Sequence, residues 1–392
     1  MADILQIGKD AQESKKHFPD TIDASIGMFY DERHIVGGFP SVYRVLKSLA
    51  PELMLPYNSV DGGTEFKKNV SEWLLGRYEK LIWDTMHPFI CSTPGGSGVV
   101  SATFASYGHQ NEAILVPNIR WQYGRFAKPR SLTLETYSMF DGMDFNLKDF
   151  EAKITALAAK QKRIIVVIND PCHNPSGYTL KLSEWLAIID LLNRFSNREI
   201  VLLYDVAYID YSLEEDARLK ISYLPKLASH VVTIMAFSGS KTFGAYGLRL
   251  GAAIGLSVDE KRARECQQKL YGYACGTWSS SATPSIELMN AMMRKENKPE
   301  FLKDLENARK TISERGIIFK KQAAAIKLKT APYVNGFYSF VLCDKPEEVY
   351  AKLAERHIFI VPMEGGIRVA LCSLSLKEVD GLAEKIKTIA HL

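Results

Sequence analysis

The chain has no apolar run approaching the length of a membrane-spanning helix, no internal repeat and no low-complexity segment. Charge of one sign is also missing. The formal net charge is only +4, and no dense Lys/Arg block stands out, which leaves no electrostatic argument for nucleic acid or an anionic membrane as partner. Lysine pairs such as Lys15–Lys16 and Lys320–Lys321 read as solvated helix faces. Cysteine is scarce and scattered, at Cys91, Cys172, Cys266, Cys275, Cys343 and Cys372, with no C-x-x-C pair and no Cys/His cluster of metal-binding spacing. That argues against a disulfide framework and against a metal site, and it fits a reducing cytoplasm. Histidine is equally thin and never forms H-E-x-x-H. Cys172 and His173 are neighbours, but adjacent side chains point different ways, so the pair is weak evidence for a Cys–His dyad. Residues 1–16 are polar and lack the apolar core of a signal peptide.

What is present suits a folded protein with a large core. A chain of 392 residues, 46% hydrophobic and 24% charged, has the length for two domains. Between about residues 89 and 256, short apolar runs alternate with helical stretches. Residues 113–116, 163–168, 200–204, 231–235 and 252–256 read as buried strands, with helices over 99–108 and 182–195. Such alternation predicts an α/β domain with a largely parallel sheet. Before it, residues 10–17 and 65–78 have helical spacing. After it come one long helix or two over 284–315, broken near 297–299, strands over 338–343 and 367–372, and helices over 346–356 and 376–389. This second pattern predicts a smaller α+β domain.

The chemistry concentrates in Ala236–Gly251, A-F-S-G-S-K-T-F-G-A-Y-G-L-R-L-G. Lys241 sits among small and aromatic residues, where desolvation and a nearby cation favour the neutral amine. A neutral lysine can form a Schiff base with an aldehyde. Ser238 and Ser240 add hydroxyls, and Arg249 adds a cation suited to a phosphate. The block resembles, without a gap from Ser238 to Gly251, the motif S-x-S-K-x-[FY]-G-x-x-[GAS]-x-R-x-G of class I and II aminotransferases, the aspartate and aromatic aminotransferase group. The resemblance implies fold type I: a large domain with a mostly parallel seven-stranded sheet over 45–287, and a small α+β domain from 1–44 and 288–392. It also implies pyridoxal 5'-phosphate carried by Lys241, and a homodimer with its active site at the subunit interface.

Pyridoxal phosphate needs a phosphate cup, a stacking group, a partner for its phenolic oxygen and a carboxylate facing its ring nitrogen. Cys91–Ser101, C-S-T-P-G-G-S-G-V-V-S, opens a predicted helix, and Gly96 and Ser97 can bring N–H groups and a hydroxyl to a phosphate. Trp121 in V-P-N-I-R-W-Q-Y-G matches the family's ring-stacking aromatic. Asn174 in N-D-P-C-H-N-P-S-G-Y can donate to the phenolic oxygen. Asp205 in Y-D-V-A-Y-I-D-Y would pair with the protonated ring nitrogen; Tyr208 can reach the same oxygen as Asn174, and Asp210 would point elsewhere. Arg368 in G-G-I-R-V-A-L-C matches the arginine that grips the substrate α-carboxylate. Gly27 fits the glycine whose backbone faces that carboxylate. Tyr57 fits a tyrosine that reaches the phosphate bound by the partner subunit.

The implied reaction is transamination: an amino group moves from an L-amino acid to a 2-oxo acid by a ping-pong sequence. A C–S lyase on the same fold is one rival, since fold does not fix function. A non-enzymatic regulator that kept the fold is another; no DNA-binding segment is evident before Ser25. Aspartate-type enzymes bring a second arginine from the partner subunit to bind the side-chain carboxylate, three residues before an aromatic-Ser pair. Here Trp278–Ser279 fits that pair, and Cys275 stands where the arginine would be. With Tyr271, Tyr273 and Trp278 nearby, aromatic or apolar amino acids are expected to be better donors than aspartate, unless Arg33 or Arg120 replaces the missing cation.

Overall fold

The computed structural model describes residues 4–392; of the segment 1–44 assigned above to the small domain, residues 1–3 lie outside this description. Seven strands form the main sheet: β1 (Phe89–Pro94), β2 (Ala113–Pro117), β3 (Thr133–Tyr137), β4 (Arg163–Asn169), β5 (Glu199–Asp205), β6 (Val231–Ser238) and β7 (Leu250–Leu256). Their order is β1-β7-β6-β5-β4-β2-β3. The strands run parallel except β7, which is antiparallel to both β1 and β6.

The sheet is buried on both faces, as its near-continuous apolar strands require. Along β4, Ile164, Val166 and Ile168 enter one core while Ile165 and Val167 enter the other. The second core also takes Val99, Val100 and Phe104 from the helix Gly95–Tyr107 and Cys266 and Leu270 from the helix Glu260–Thr277.

A second unit is built around a three-stranded antiparallel sheet of Tyr338–Leu342, Gly366–Ala370 and Val361–Met363. Ile22–Asp23 pairs in parallel with Ile358–Phe359, tying the start of the chain to its last third. The helices Thr283–Met292 and Lys298–Ala325 divide where the expected break falls. No helix among the described residues is long and apolar enough to cross a membrane.

Four local features differ from the sequence reading. Phe89–Pro94 is a strand that the sequence reading did not single out. Thr133–Tyr137 is an edge strand that buries only Tyr137 fully, so no apolar run marks it. Glu260–Thr277 is an 18-residue helix of polar composition that buries only Ala263, Cys266, Leu270 and Ala274. The helix expected over 376–389 splits at Gly381, which adopts φ +74°.

Candidate active site

Parallel strands deliver their C-terminal ends to one edge of the sheet, and β7, running the other way, delivers its N-terminal end there. Asn169, Asp205 and Ser238 close β4, β5 and β6; Pro94 closes β1 opposite Leu250. Such an edge is where open α/β sheets bind ligands. Here it borders a cavity of about 250 Å³. Eleven of the twelve residues singled out above line it: Gly27, Gly96, Ser97, Trp121, Asn174, Asp205, Tyr208, Ser238, Lys241, Arg249 and Arg368. Tyr57 does not. It lies outside the cavity and is 97% exposed.

Lys241 stands on the short turn Gly239–Thr242 that follows β6. Its Nζ donates to the Gly27 carbonyl at 2.6 Å and lies 4.9 Å from the Tyr246 ring centre and 5.2 Å from that of Phe337. Burial, with the cations of Arg368 and Arg249 nearby, lowers its pKa to about 8. The turn is held from behind by the segment that ends in Ile209–Tyr211. The Tyr211 hydroxyl donates to the Lys241 carbonyl at 3.1 Å, and the Thr242 hydroxyl donates to Asp210 at 2.6 Å. Asp210 also accepts from the Trp73 indole at 3.1 Å, so it faces away from the cavity as expected.

Asp205 accepts from the Tyr123 hydroxyl at 2.8 Å and from the Ala207 N–H at 3.2 Å. Burial nevertheless pushes its pKa up to about 6, against both hydrogen bonds. Beside it, the Asn169 side chain donates to the Asp205 carbonyl at 2.9 Å and accepts from the Asn174 N–H at 2.7 Å. This fixes the loop so that Asn174 Nδ2 donates to the Tyr208 hydroxyl at 3.2 Å. Asn174 Oδ1 is buried with no partner among the described residues.

At the other side of the cavity, the helix Gly95–Tyr107 presents its N-terminus, with Gly96 and Ser97 facing Ser238, Ser240 and Arg249. Arg249 adopts φ +56° and donates to Ser240 at 3.2 Å and to the Tyr246 carbonyl at 2.9 Å. A helix N-terminus, three hydroxyls and a guanidinium make a cup for a dianion. Arg368 enters from the second unit. It is buried, donates Nη2 to the Ser25 carbonyl at 2.7 Å, and keeps a buried Nε with no partner among the described residues. Trp121 meets Tyr123 edge-on at 5.4 Å between centroids and presents an aromatic surface to the cavity.

The sequence reading missed Tyr123, Asn169, Tyr246 and Tyr338. Tyr123 lies within the V-P-N-I-R-W-Q-Y-G stretch, but its partner Asp205 is far along the chain, so no spacing marks the pair. The resemblance assigns the segment around Cys275 to the partner subunit's site rather than to the cavity of its own chain. Tyr271, Tyr273, Cys275 and Trp278 do not line this cavity, and Tyr273 is engaged by Arg130 at 2.7 Å. Arg33 pairs with Asp31 at 3.0 Å on the surface. Arg120 is held by the Asn118 carbonyl at 2.8 Å and Glu364 at 3.2 Å. Neither lines the cavity.

The donor set fits pyridoxal phosphate: an anion cup at one end, a carboxylate at the depth of the sheet, a lysine near neutrality between them, and the orphaned Asn174 Oδ1 and Arg368 Nε facing polar groups yet to be met. Comparison with known proteins agrees. The family model "Aminotransferase class I and II" matches residues 21–386. The aspartate aminotransferase of Escherichia coli is 30% identical over 252 residues, which cover 62% of this chain and 61% of that protein, so the match spans less than two thirds of that relative. A crystal structure of an aminotransferase from Anaerococcus prevotii superposes with a TM-score of 0.93 at 26% identity, covering 99% of this chain and 96% of that one. An aromatic-amino-acid aminotransferase from Burkholderia pseudomallei, covalently bound to pyridoxal phosphate, shares the fold with a TM-score of 0.78 at 19% identity, covering 99% of this chain and 98% of that one. The chain belongs to the class I and II aminotransferase family.

Proposed function

We propose that this protein is an amino acid aminotransferase that uses pyridoxal 5'-phosphate on Lys241 and moves an amino group from an L-amino acid to a 2-oxo acid. The observation that carries the reading is the convergence of Lys241, Asp205 and Arg368 on one cavity of about 250 Å³. Pyridoxal phosphate, when bound, supplies an electron sink for the pair left behind as the substrate α-proton departs. The chain's own residues do the rest. Gly96, Ser97, Ser238 and Arg249 hold the phosphate, joined by Tyr57 of the partner subunit in a homodimer. Asp205 would face the ring nitrogen and favour its protonated form; Asn174 and Tyr208 would bond the phenolic oxygen, and Trp121 would cover the ring. Arg368 takes the substrate α-carboxylate through its free Nε, with Gly27 backing it.

Lys241, with a pKa of about 8, is poised to take the α-proton and return it, because a base near the working pH combines availability with driving force. The first product leaves as a 2-oxo acid before the second oxo acid binds, which makes the kinetics ping-pong. The six free cysteines agree with a cytoplasmic location. Aromatic or apolar donors are favoured over aspartate, because Arg249 and Arg368, the arginines of this chain that line the cavity, have other duties, and Cys275 stands where a partner subunit would supply a third. A second carboxylate would enter without a cation and carry the cost of desolvation.

Borohydride reduction of the yellow protein, followed by peptide mapping, is expected to place the label on Lys241; a label elsewhere, or none, overturns the reading. Release of pyruvate and ammonia in single turnovers would replace transamination by β-elimination. A kcat/KM higher for aspartate than for phenylalanine, with one oxo-acid acceptor, would overturn the substrate preference.

A further inference from the structure

Tyr338 opens the strand Tyr338–Leu342 and pairs with Ala370, two residues from Arg368 on the neighbouring strand. Its ring is buried, with the Arg368 guanidinium 4.5 Å from the ring centre. Its hydroxyl borders the cavity beside Gly27, so closely that a Cβ on Gly27 would collide with it.

That hydroxyl ends a directed chain of hydrogen bonds. Asn174 Nδ2 donates to the Tyr208 hydroxyl at 3.2 Å, and Tyr208 donates to the Tyr338 hydroxyl at 3.3 Å. No group among the described residues accepts the Tyr338 hydrogen in turn. The Gly27 carbonyl accepts from Lys241 at 2.6 Å. Burial holds the phenol protonated, with its pKa pushed up to about 12. Arg368 Nε, beside the same ring, is a second buried donor with no acceptor. A buried donor is rarely left unpaired, so Arg368 Nε, with the Tyr338 hydroxyl able to turn its hydrogen to the cavity at the same wall, calls for a ligand with two acceptors.

We propose that Tyr338 is a substrate-binding residue, whose hydroxyl donates to the α-carboxylate of the amino-acid or 2-oxo-acid substrate alongside Arg368. This rests on the reading of Arg368 given under Proposed function. A carboxylate has one oxygen for each donor, and both bonds to it are charge-assisted. The ring has a separate task, supporting the guanidinium by a cation–π contact. Tyr338→Phe removes the first role and keeps the second.

The test is calorimetric titration of wild-type and Tyr338→Phe holoenzyme with two probes. One is a 2-methyl amino acid, which has the carboxylate but no α-proton to lose. The other is the corresponding amine without the carboxylate. The variant is expected to bind the 2-methyl amino acid roughly tenfold more weakly, the scale of a lost hydrogen bond to a charged group, and to bind the amine within about twofold of wild type. A loss shared equally by both probes would mark Tyr338 as merely structural, and no loss on either would mean the hydroxyl meets no substrate; each overturns the proposal. Phenylalanine fills the tyrosine's volume, and borohydride labelling of Lys241 in the same preparations reports separately on the cofactor reading.

Discussion

Asp205 is held where its charge is costly until a cation faces it. Its pKa of about 6 in the folded chain, against an ordinary 3.8, means the native state holds the proton more tightly than the unfolded chain does. Stability is therefore undiminished below the unfolded pKa, is lost as pH rises through the window from 3.8 to about 6, and stays lost above it. Asp205→Asn removes the charge and can still accept from Tyr123. The variant apoprotein is expected to be more stable than wild type at pH 7.5 by about 2 kcal/mol, with the gain vanishing below about pH 4, as measured by urea unfolding across pH. The same variant, loaded with saturating cofactor, is expected to lose most turnover, because the carboxylate no longer favours the protonated ring nitrogen. Lys241 carries the mirror-image cost. Its folded pKa lies below its unfolded value, so the penalty is full below about 8 and is relieved as pH rises towards 10.5. Both groups lower the stability of the empty chain at positions where a ligand would put them to use, a pairing that marks functional sites.

At the level of elements, the anion cup depends on how closely β7 passes the start of the helix Gly95–Tyr107. A Cβ on Gly251 would overlap the backbone of Gly95, and one on Gly95, at φ +67°, would sit 2.7 Å from the Arg249 guanidinium. Gly251→Ala must push the strand and the cup apart. It is expected to lower stability by about 1–3 kcal/mol, the usual cost of overpacking, and to weaken cofactor retention in parallel; a thermal melt and cofactor titration check both. This contact also shows what the sequence could reveal. The cup, the lysine turn and the Asn174 loop were legible because each is a contiguous motif, and the central strands because burial on both faces leaves continuous apolar runs. β3 was not, because an edge strand alternates weakly. Nor was Tyr123 or Tyr338, because their partners Asp205 and Arg368 come from other elements and only folding brings them together.

At the scale of the whole molecule, one stretch of surface bears on the proposed homodimer. Leu53, Leu55 and Tyr57 are 47%, 82% and 97% exposed on the segment just before the helix Gly63–Leu75. Large apolar side chains clustered at a surface mark an interaction site. A second copy is the partner that would also give Tyr57 its proposed task. Leu55→Glu is therefore expected to shift the protein towards monomer in sedimentation and to reduce cofactor retention with it. Tyr57→Phe is expected to leave the dimer intact and to weaken cofactor binding roughly tenfold, the scale of a lost hydrogen bond to a phosphate. Mixed dimers decide whether the contact crosses the interface. If Tyr57 acts across it, a heterodimer of Lys241→Ala and Tyr57→Phe subunits has one site with both defects and one with neither. If Tyr57 acts within its own subunit, the only site that keeps Lys241 has also lost the tyrosine hydroxyl. Cofactor affinity at the lysine-bearing site is expected to match wild type, because Tyr57 lies outside its own chain's cavity. An affinity equal to that of the Tyr57→Phe homodimer would assign the residue to its own subunit and remove the interface from the phosphate site.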